Sequence, residues 1–320
     1  MHPSLIPPTK NEVEIDRDNC QWITEYDINK SLTELGHETV FLGLESSLVR
    51  MINKIDSFKP DIIFNLLEEF DSDTQSDYKP IAALDMLQIK YTGCNPKGLM
   101  LARDKALSKK ILKYHKIGTP SFYTFPQNKK RKIPKNLKFP LIVKCLFEEA
   151  SFGIAKASIC SSPEKVYERL DYINTKLNQD AIVEEFIEGR ELYVGIMGND
   201  KLTTFPIWEL HFENVEEPEK EIYSSQAKWN ENYRSRKGIK TGPAILDKEI
   251  TNKIFKTCKK VYSILQLSGY ARIDLRLTSD NKIYILEANP NPNIASDDDF
   301  ASSALHDGLS YNELIKKIIS

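Results

Sequence analysis

Two runs of alternating apolar and polar residues near the carboxyl end of the chain predict a β-hairpin. They span residues 270–277 and 283–288, and the polar residues between them have the composition of a turn. Side chains alternate across a strand, so Arg272, Asp274 and Arg276 share one face of the first run. The apolar residues between them form the opposite face, which we expect to be buried.

The turn sets a register that brings two carboxylates together. A loop of two or of four residues places Asp274 opposite Glu287 and Arg272 opposite Asn289. Two facing carboxylates repel by about 0.2–1 kcal/mol even when exposed, and a cation between them removes that cost. Carboxylate and amide oxygens are the hard ligands preferred by Mg²⁺ that carries phosphates. The sequence therefore predicts a magnesium site, against the simpler interpretation of a solvated polar face.

The rest of the chain alternates between helical and strand periodicity. Helices are predicted over residues 22–35, 48–55, 78–87, 164–177 and 247–267. Strands are predicted over residues 39–44, 60–66, 89–91, 139–144, 181–187 and 203–210. Asn95 and Pro96 are good starting residues for a further helix, expected to reach about residue 115. Strands that alternate with helices before Asn95 predict a parallel α/β sheet.

Composition excludes several classes of protein. The chain has 320 residues, 41% of them hydrophobic and 28% charged, with a net charge of -2, so no general attraction to nucleic acid or anionic membranes is implied. A basic segment over residues 128–138 is expected to be a solvated connector, because it lacks the interleaved aromatic residues of a single-strand-binding surface. No apolar run approaches the about 20 residues of a membrane span, and no signal peptide is recognisable. The five cysteines form no CxxC pair, so we expect reduced thiols in a cytoplasmic protein.

Five motifs follow one another along the chain: Asp104-Lys105 after YTG, FPLIVK at 139–144, EEFIEGRELYVG at 184–195, R-x-D at Arg272 to Asp274 and E-x-N at Glu287 to Asn289. In this order they resemble the ATP-grasp superfamily, in particular the D-alanine–D-alanine ligases. The resemblance covers about residues 20–320. No Walker A motif and no GxGxxG occurs, which argues against P-loop and Rossmann folds.

The resemblance implies an α/β fold of the ATP-grasp type, in which two α+β subdomains hold ATP between them. The expected divisions are an N-terminal parallel α/β domain over residues 1–94, a central subdomain over 95–188 and a C-terminal subdomain with the metal site over 189–320. Relatives open with a strand and a glycine-containing loop, whereas this chain begins at the loop. Either the first strand is absent or the start codon is misplaced.

The same resemblance implies roles for individual side chains. Those expected at the ATP phosphates are Lys105, Lys144, Ser151 and Gly153. Those expected at adenine are Glu184, Glu185, Phe186 and Ile187, with Glu191 at the ribose hydroxyls. Lys228 would contact the γ-phosphate and Arg272 would stabilise an oxyanion. Asp274, Glu287 and Asn289 would hold Mg²⁺, as two ions for which Mn²⁺ can substitute.

The implied reaction is an ATP-dependent carboxylate–amine ligation through an acyl phosphate. Its substrates would be small amino acids or peptides, and a homodimer is expected. Asp297, Asp298 and Asp299 depart from the family, which has a small glycine- and serine-containing loop here that grips the second D-alanine. These acids either begin a surface helix or select another acceptor. A ligase for other amino acids or peptides and a nucleotide-binding protein without ligase activity are the alternatives.

Overall fold

The computed structural model describes residues 1–8, 15–17, 20–127, 129, 132–148 and 152–320, and has the expected mixed α/β order. The helices are α1 (Ile23–Glu34), α2 (Leu48–Phe58), α3 (Tyr78–Met86), α4 (Pro96–Arg103), α5 (Lys105–Tyr114), α6 (Pro163–Lys176), α7 (Ser225–Trp229), α8 (Glu231–Lys237), α9 (Lys248–Ile264), α10 (Asp299–His306) and α11 (Tyr311–Ile319). The strands are β1 (Phe122–Phe125), β2 (Leu141–Cys145), β3 (Ile159–Cys160), β4 (Ala181–Glu185), β5 (Arg190–Met197), β6 (Thr203–Thr204), β7 (Trp208–Phe212), β8 (Ile239–Pro243), β9 (Tyr270–Leu277) and β10 (Ile283–Pro290).

The strands form two antiparallel sheets. The smaller sheet has the order β1-β4-β2-β3, and α6 packs on it through a core that includes Val166, Leu170 and Val183. The larger sheet has the order β10-β9-β5-β7-β8, with β6 paired to β5. β4 and β5 follow each other in sequence but belong to different sheets, so the four residues between them connect the two sheets.

The prediction of strands before Asn95 is wrong. The segments over 39–44, 60–66 and 89–91 form no strand, and their only β pairing in the described residues is a parallel bridge between Ile63 and Tyr91. A ladder needs a neighbouring strand. Residues 1–8 contain a short 3-10 helix and no strand, and the amide of Leu44 donates to the carbonyl of Met1 at 2.9 Å.

The apolar faces predicted for β9 and α9 meet in one core. Ile273 and Leu275 from β9 pack there with Ile254, Cys258 and Val261 from α9. This core fixes the opposite, polar face of β9 toward the smaller sheet. In the described part of the chain, no helix combines the length and apolar character needed to cross a membrane.

Candidate active site

A cavity of about 410 Å³ is lined from both sheets, from α4 and α5, and from the segment after β10. Pockets of this size commonly bind small molecules. The predicted site residues that line it are Lys105, Lys144, Glu184, Glu185, Phe186, Ile187, Glu191, Lys228, Arg272, Asp274, Glu287 and Asn289. The structure therefore brings together residues that lie far apart in the sequence.

The hairpin of β9 and β10 has a different turn from the predicted one. Ile283 pairs with Leu277, and the amide of Thr278 donates to the carbonyl of Lys282 over 3.1 Å. This register leaves an odd number of residues, 278–282, between the paired residues, and Asn281 has a left-handed φ of 60°. The predicted loop of two or four residues is therefore wrong.

A β-bulge nevertheless produces the predicted pair of acids. The register of the turn would place Asp274 opposite Leu286, but a bulge between Ile285 and Glu287 shifts the ladder and brings Glu287 opposite Asp274. Ile285 is consequently buried in the core, while Glu287 lines the cavity. A strict period of two would have put these two side chains on one face. Bulges near active sites re-aim side chains in this way.

Different cations balance the two facing carboxylates. Arg272 donates two hydrogen bonds to Asp274, at 2.8 and 3.0 Å. Lys105 Nζ lies 3.8 Å from Glu287 Oε2. Burial raises the pKa of Asp274 to about 7, although Arg272 opposes the shift. Burial also acts to raise the pKa of Glu287, but Lys105 and two further lysines outweigh it and lower the pKa.

The side chains at the predicted metal site suit Mg²⁺. Asp274, Glu287 and Asn289 all line the cavity and offer hard oxygen donors. Among the described residues, the buried Nδ2 of Asn289 has no hydrogen-bond partner. No cluster of three or more His, Cys, Asp or Glu side chains suited to a metal occurs in the described ranges. A metal here would find two carboxylates and one amide among its protein ligands.

Three predicted lysines reach the cavity from three elements. The helix predicted from Asn95 is broken at Asp104, which caps α5 and makes Lys105 its first residue. Lys105 Nζ donates to the carbonyl of Glu148. Lys144 projects from β2, and Lys228 from α7. Burial lowers the pKa of Lys228.

The segment predicted to cover the phosphates is described only in part. Ser151 lies outside the described residues. Gly153 has a φ of 66° and does not itself line the cavity, and its carbonyl accepts a hydrogen bond from Arg169. The carbonyl of Ile154 accepts from the amide of Ser225 at 3.0 Å, which joins this segment to α7 and so to its lysine.

Glu184 lies between two lysines and is only 1% exposed. Lys144 Nζ is 3.3 Å from its Oε2, and Lys109 Nζ is 3.3 Å from its Oε1. Burial acts to raise the pKa of Glu184, but the two ammonium groups outweigh it and lower the pKa. Burial lowers the pKa of Lys109, whereas for Lys144 the nearby carboxylates overcome burial and raise it.

The connection between β4 and β5 is fixed by backbone hydrogen bonds. The amide of Glu185 donates to Ser121 at 2.8 Å, and that of Phe186 donates to Pro140 at 2.9 Å. Phe186 and Ile187 both line the cavity. The segment predicted to contact adenine therefore lies at the edge of the cavity, with the backbone of Phe186 hydrogen-bonded to the residue before β2.

Glu191, the residue predicted to bind ribose, is held by Arg276 at 2.5 Å and by the hydroxyl of Tyr193 at 3.0 Å. Arg276 also donates to three backbone carbonyls, those of Gly189, Glu219 and Glu221, at 3.0, 2.9 and 2.6 Å. One buried guanidinium therefore fixes both the carboxylate and the segment that follows β7.

The sequence reasoning missed Lys109 and gave Arg276 no role. Lys109 lies one helical turn after Lys105, a spacing that places both on one face and could have identified it. Arg276 belongs to the predicted polar face of β9, but its partners come from elsewhere in the chain.

Of the three consecutive acids, Asp298 and Asp299 line the cavity and Asp297 does not. Asp297 is exposed and binds Arg17 at 2.9 and 3.0 Å, which favours the surface interpretation for this acid. Asp298 caps α10 by accepting from the amide of Asp299 at 2.8 Å. Burial raises the pKa of Asp298 to about 6, and the neighbouring Asp299 adds to the shift.

Known proteins match this chain over most of its length. Residues 105–320 match the family model described as D-ala D-ala ligase C-terminus. A D-alanine–D-alanine ligase of Aquifex aeolicus is 31% identical and covers 92% of this chain and 92% of its own. An uncharacterised protein of Sinorhizobium fredii is 29% identical over 90% of this chain and 84% of its own. The crystal structure of a Bacillus anthracis D-alanine–D-alanine ligase complexed with ATP has the same fold, with a TM-score of 0.74 and 21% identity over 95% of this chain and 93% of that one.

Proposed function

We propose the function of this chain from its family, because the chain belongs to the D-alanine–D-alanine ligases, ATP-dependent enzymes that form a C–N bond. The chain would join the carboxyl group of one small amino acid to the amine of another, with release of ADP and phosphate. The observation that carries this proposal is the cavity in which the facing acids, the lysines and the β4–β5 connection meet. D-Alanine is the first candidate for both substrates, because it is the substrate named for the relatives.

ATP would lie across the two sheets. The β4–β5 connection and Glu184 would contact adenine, and Glu191 would accept hydrogen bonds from the ribose hydroxyls. Lys105 and Lys144 would neutralise the phosphates. This arrangement supports the expected division into residues 1–94, 95–188 and 189–320, since ATP would contact the last two units. The homodimer stays a prediction.

Asp274, Glu287 and Asn289 would hold Mg²⁺, which neutralises charge on the phosphates when bound. Asp274 also accepts a hydrogen bond from Arg272. The guanidinium of Arg272 lies 4.8 Å from the centre of the Tyr193 ring. Asp274 outweighs burial and raises the pKa of Arg272, so this group stays cationic beside the metal ligands.

Two displacements account for the products. An oxygen of the donor carboxylate attacks the γ-phosphorus, the bond to the β–γ bridging oxygen breaks, and ADP leaves. The acceptor amine then attacks the acyl carbon, phosphate leaves, and the nitrogen loses a proton. Phosphoryl transfer needs positioning and charge neutralisation, which Lys228 can supply at the γ-phosphate. Arg272 would stabilise the oxygen that becomes negative in the second step.

The test follows one oxygen atom. Wild-type protein is incubated with Mg·ATP and D-alanine labelled with ¹⁸O in its carboxyl group, and the released phosphate is analysed by mass spectrometry. An acyl phosphate transfers one labelled oxygen to phosphate. Unlabelled phosphate accompanied by dipeptide would contradict the proposed steps, and a reaction without donor measures background hydrolysis.

A second candidate is a ligase whose acceptor is not D-alanine. The observation that favours it is that Asp298 and Asp299 line the cavity. At an effective dielectric constant near 20, a like charge about 5 Å away costs about 3 kcal/mol, or roughly a hundredfold in affinity. These acids would disfavour an acceptor carboxylate and favour an acceptor that lacks one or carries a cationic group.

The two candidates differ in their response to acceptor charge. D-Alanine and D-alaninamide are compared as acceptors for the wild type and for an Asp298→Asn, Asp299→Asn double variant. If the acids select the acceptor, the amide is preferred by the wild type and the preference falls in the double variant. Asp297→Asn is the matched control, because that side chain lies outside the cavity. Efficient use of D-alanine by the wild type, unchanged in the double variant, would leave D-alanine as the acceptor.

A further inference from the structure

A buried lysine outside the predicted site joins its two ends. Lys109 follows Lys105 by one turn of α5 and is 1% exposed. A buried ammonium group is stable only when its surroundings provide charge and hydrogen-bond acceptors. The partners of Lys109 come from two different sheets, β4 in one and β10 in the other.

The first partner lies at the nucleotide end of the cavity. Lys109 Nζ is 3.3 Å from Glu184 Oε1, and Lys144 holds the other carboxylate oxygen. Without Lys109, Glu184 would keep one of these two cationic neighbours. Its charge and its orientation toward the cavity therefore depend on both lysines.

The second partner lies at the metal end. Lys109 Nζ donates a hydrogen bond to the carbonyl of Leu286. Leu286 lies in the bulge that brings Glu287 opposite Asp274. A bulge interrupts the regular ladder, so a carbonyl in it that lacks a ladder partner is satisfied from elsewhere. Lys109 supplies it and fixes the bulge from the side of α5.

We propose that Lys109 is a positioning residue that couples the adenine end of the site to the metal end, through Glu184 and the Leu286 bulge. It does not line the cavity and is not expected to contact substrate. The inference rests on the proposed nucleotide and metal site, and adds that affinity at both ends depends on this one side chain.

The experiment uses the Lys109→Met variant, which keeps the length of the side chain and removes its charge. Two quantities are measured: the Kd for ADP in the presence of EDTA, and the Mg²⁺ concentration that gives half-maximal activity at saturating ATP. Loss of a group that supports a metal ligand typically weakens metal affinity about 10–100-fold, and we expect both quantities to rise by about tenfold or more. Lys110→Met is the matched control, because Lys110 is its exposed neighbour on α5.

A double variant separates the two partners. In a Glu184→Gln background, Lys109→Met should change the ADP affinity much less, because the shared partner is already neutral. The Mg²⁺ requirement should still rise, since the Leu286 carbonyl has lost its donor. If the Lys109→Met variant does not fold because Glu184 has lost a cationic neighbour, the Mg²⁺ requirement can still be measured in the Glu184→Gln background.

The outcomes are distinct. A variant that melts at a lower temperature but keeps both wild-type constants has lost only a structural residue, and the proposal is overturned. A change at one end alone overturns the coupling. A wild type without ATP-dependent phosphate release would instead refute the proposed function, and the ADP titration would still decide whether Lys109 acts on nucleotide affinity.

Discussion

Asp274 and Glu287 face each other but depend on different neighbours. Arg272 binds both oxygens of Asp274, whereas lysines from the smaller sheet and from α5 surround Glu287. Mutual repulsion, the basis on which the sequence predicts a metal, is therefore already reduced by cations of the protein. The metal proposal relies on the donor set and on its position in the cavity.

Asp274→Asn and Glu287→Gln each remove a proposed metal ligand. Loss of a group that only hydrogen-bonds to a metal ligand typically lowers activity about 10–100-fold, so we expect each variant to lower amino-acid-dependent phosphate release by more than that. The amides keep the shape of the acids, so the variants should fold, and Asp274→Asn should melt at an equal or higher temperature than the wild type without ligand, because burial raises the pKa of Asp274 and its ionisation opposes folding. Phosphate release and thermal melting are measured side by side. Near-normal activity in both variants would end the metal assignment.

Asp298 gives the pH dependence of stability a definite sign. Its pKa of about 6 in the folded chain lies above the ordinary value of 3.8, so stability is lost as the pH rises from about 4 to about 6 and the carboxylate ionises. Asp298→Asn should raise the melting temperature at pH 8 and have little effect at pH 4, with a gain of at most about 3 kcal/mol. Asparagine remains a good N-cap for α10.

Asp297→Asn, measured in the same way, should give no such gain, because Asp297 is exposed and paired with Arg17. An Asp298→Asn variant that is no more stable than the wild type at pH 8 would contradict the raised pKa.

At the scale of elements, local patterns predicted most helices and the site-facing strands. The burial of Ile273 and Leu275 follows from alternation along one strand, and a cap such as Asn95 from its own turn of helix. The bulge at Leu286 could not be predicted this way, because its carbonyl is stabilised by a lysine from a distant helix. The strands expected before Asn95 failed for a related reason, since a strand forms only beside a partner.

The predicted residues of the candidate site were largely brought together, because their motifs lie on elements with strong local patterns. What the motifs could not reveal is which charges balance each other. Glu184 was expected at adenine, and the structure places it between Lys109 and Lys144. Lys144 comes from the neighbouring strand β2 and Lys109 from helix α5, and no local periodicity indicates that these side chains meet.

Arg276 connects β9 to the segment before α7. A lysine cannot replace it, because its ammonium group lacks the planar set of N–H donors of a guanidinium. Arg276→Lys should leave Glu191 and the carbonyls of Glu219 and Glu221 less well satisfied. We expect the KM for ATP to rise by about tenfold, as the loss of about 1.4 kcal/mol would give, and proteolysis near residue 219 to accelerate. Arg236→Lys is the control, because Arg236 is exposed on α8. Unchanged KM and proteolysis would show that the fork is dispensable.

At the scale of the molecule, the cavity combines side chains from Leu67 to Asp299, so one ligand would contact both sheets and several helices. A ligand bound only by the folded state stabilises it by about 2.7 kcal/mol at a hundredfold excess over Kd. Mg·ATP should therefore raise the melting temperature by several degrees, and ATP with EDTA by much less, because Asp274 and Glu287 then face the phosphates without a metal. Equal shifts with and without Mg²⁺ would contradict the metal site.

The central claim is that this cavity joins a carboxylate to an amine at the expense of ATP. The most direct measurement follows phosphate release with Mg·ATP in the presence and absence of D-alanine and a panel of other amino acids and amides, with the product identified by mass spectrometry. We predict that release depends on the acceptor, matches the amide formed in a one-to-one ratio, and is lost in Asp274→Asn. Phosphate release that no amino acid or amide stimulates, or that continues unchanged in Asp274→Asn, would contradict the account.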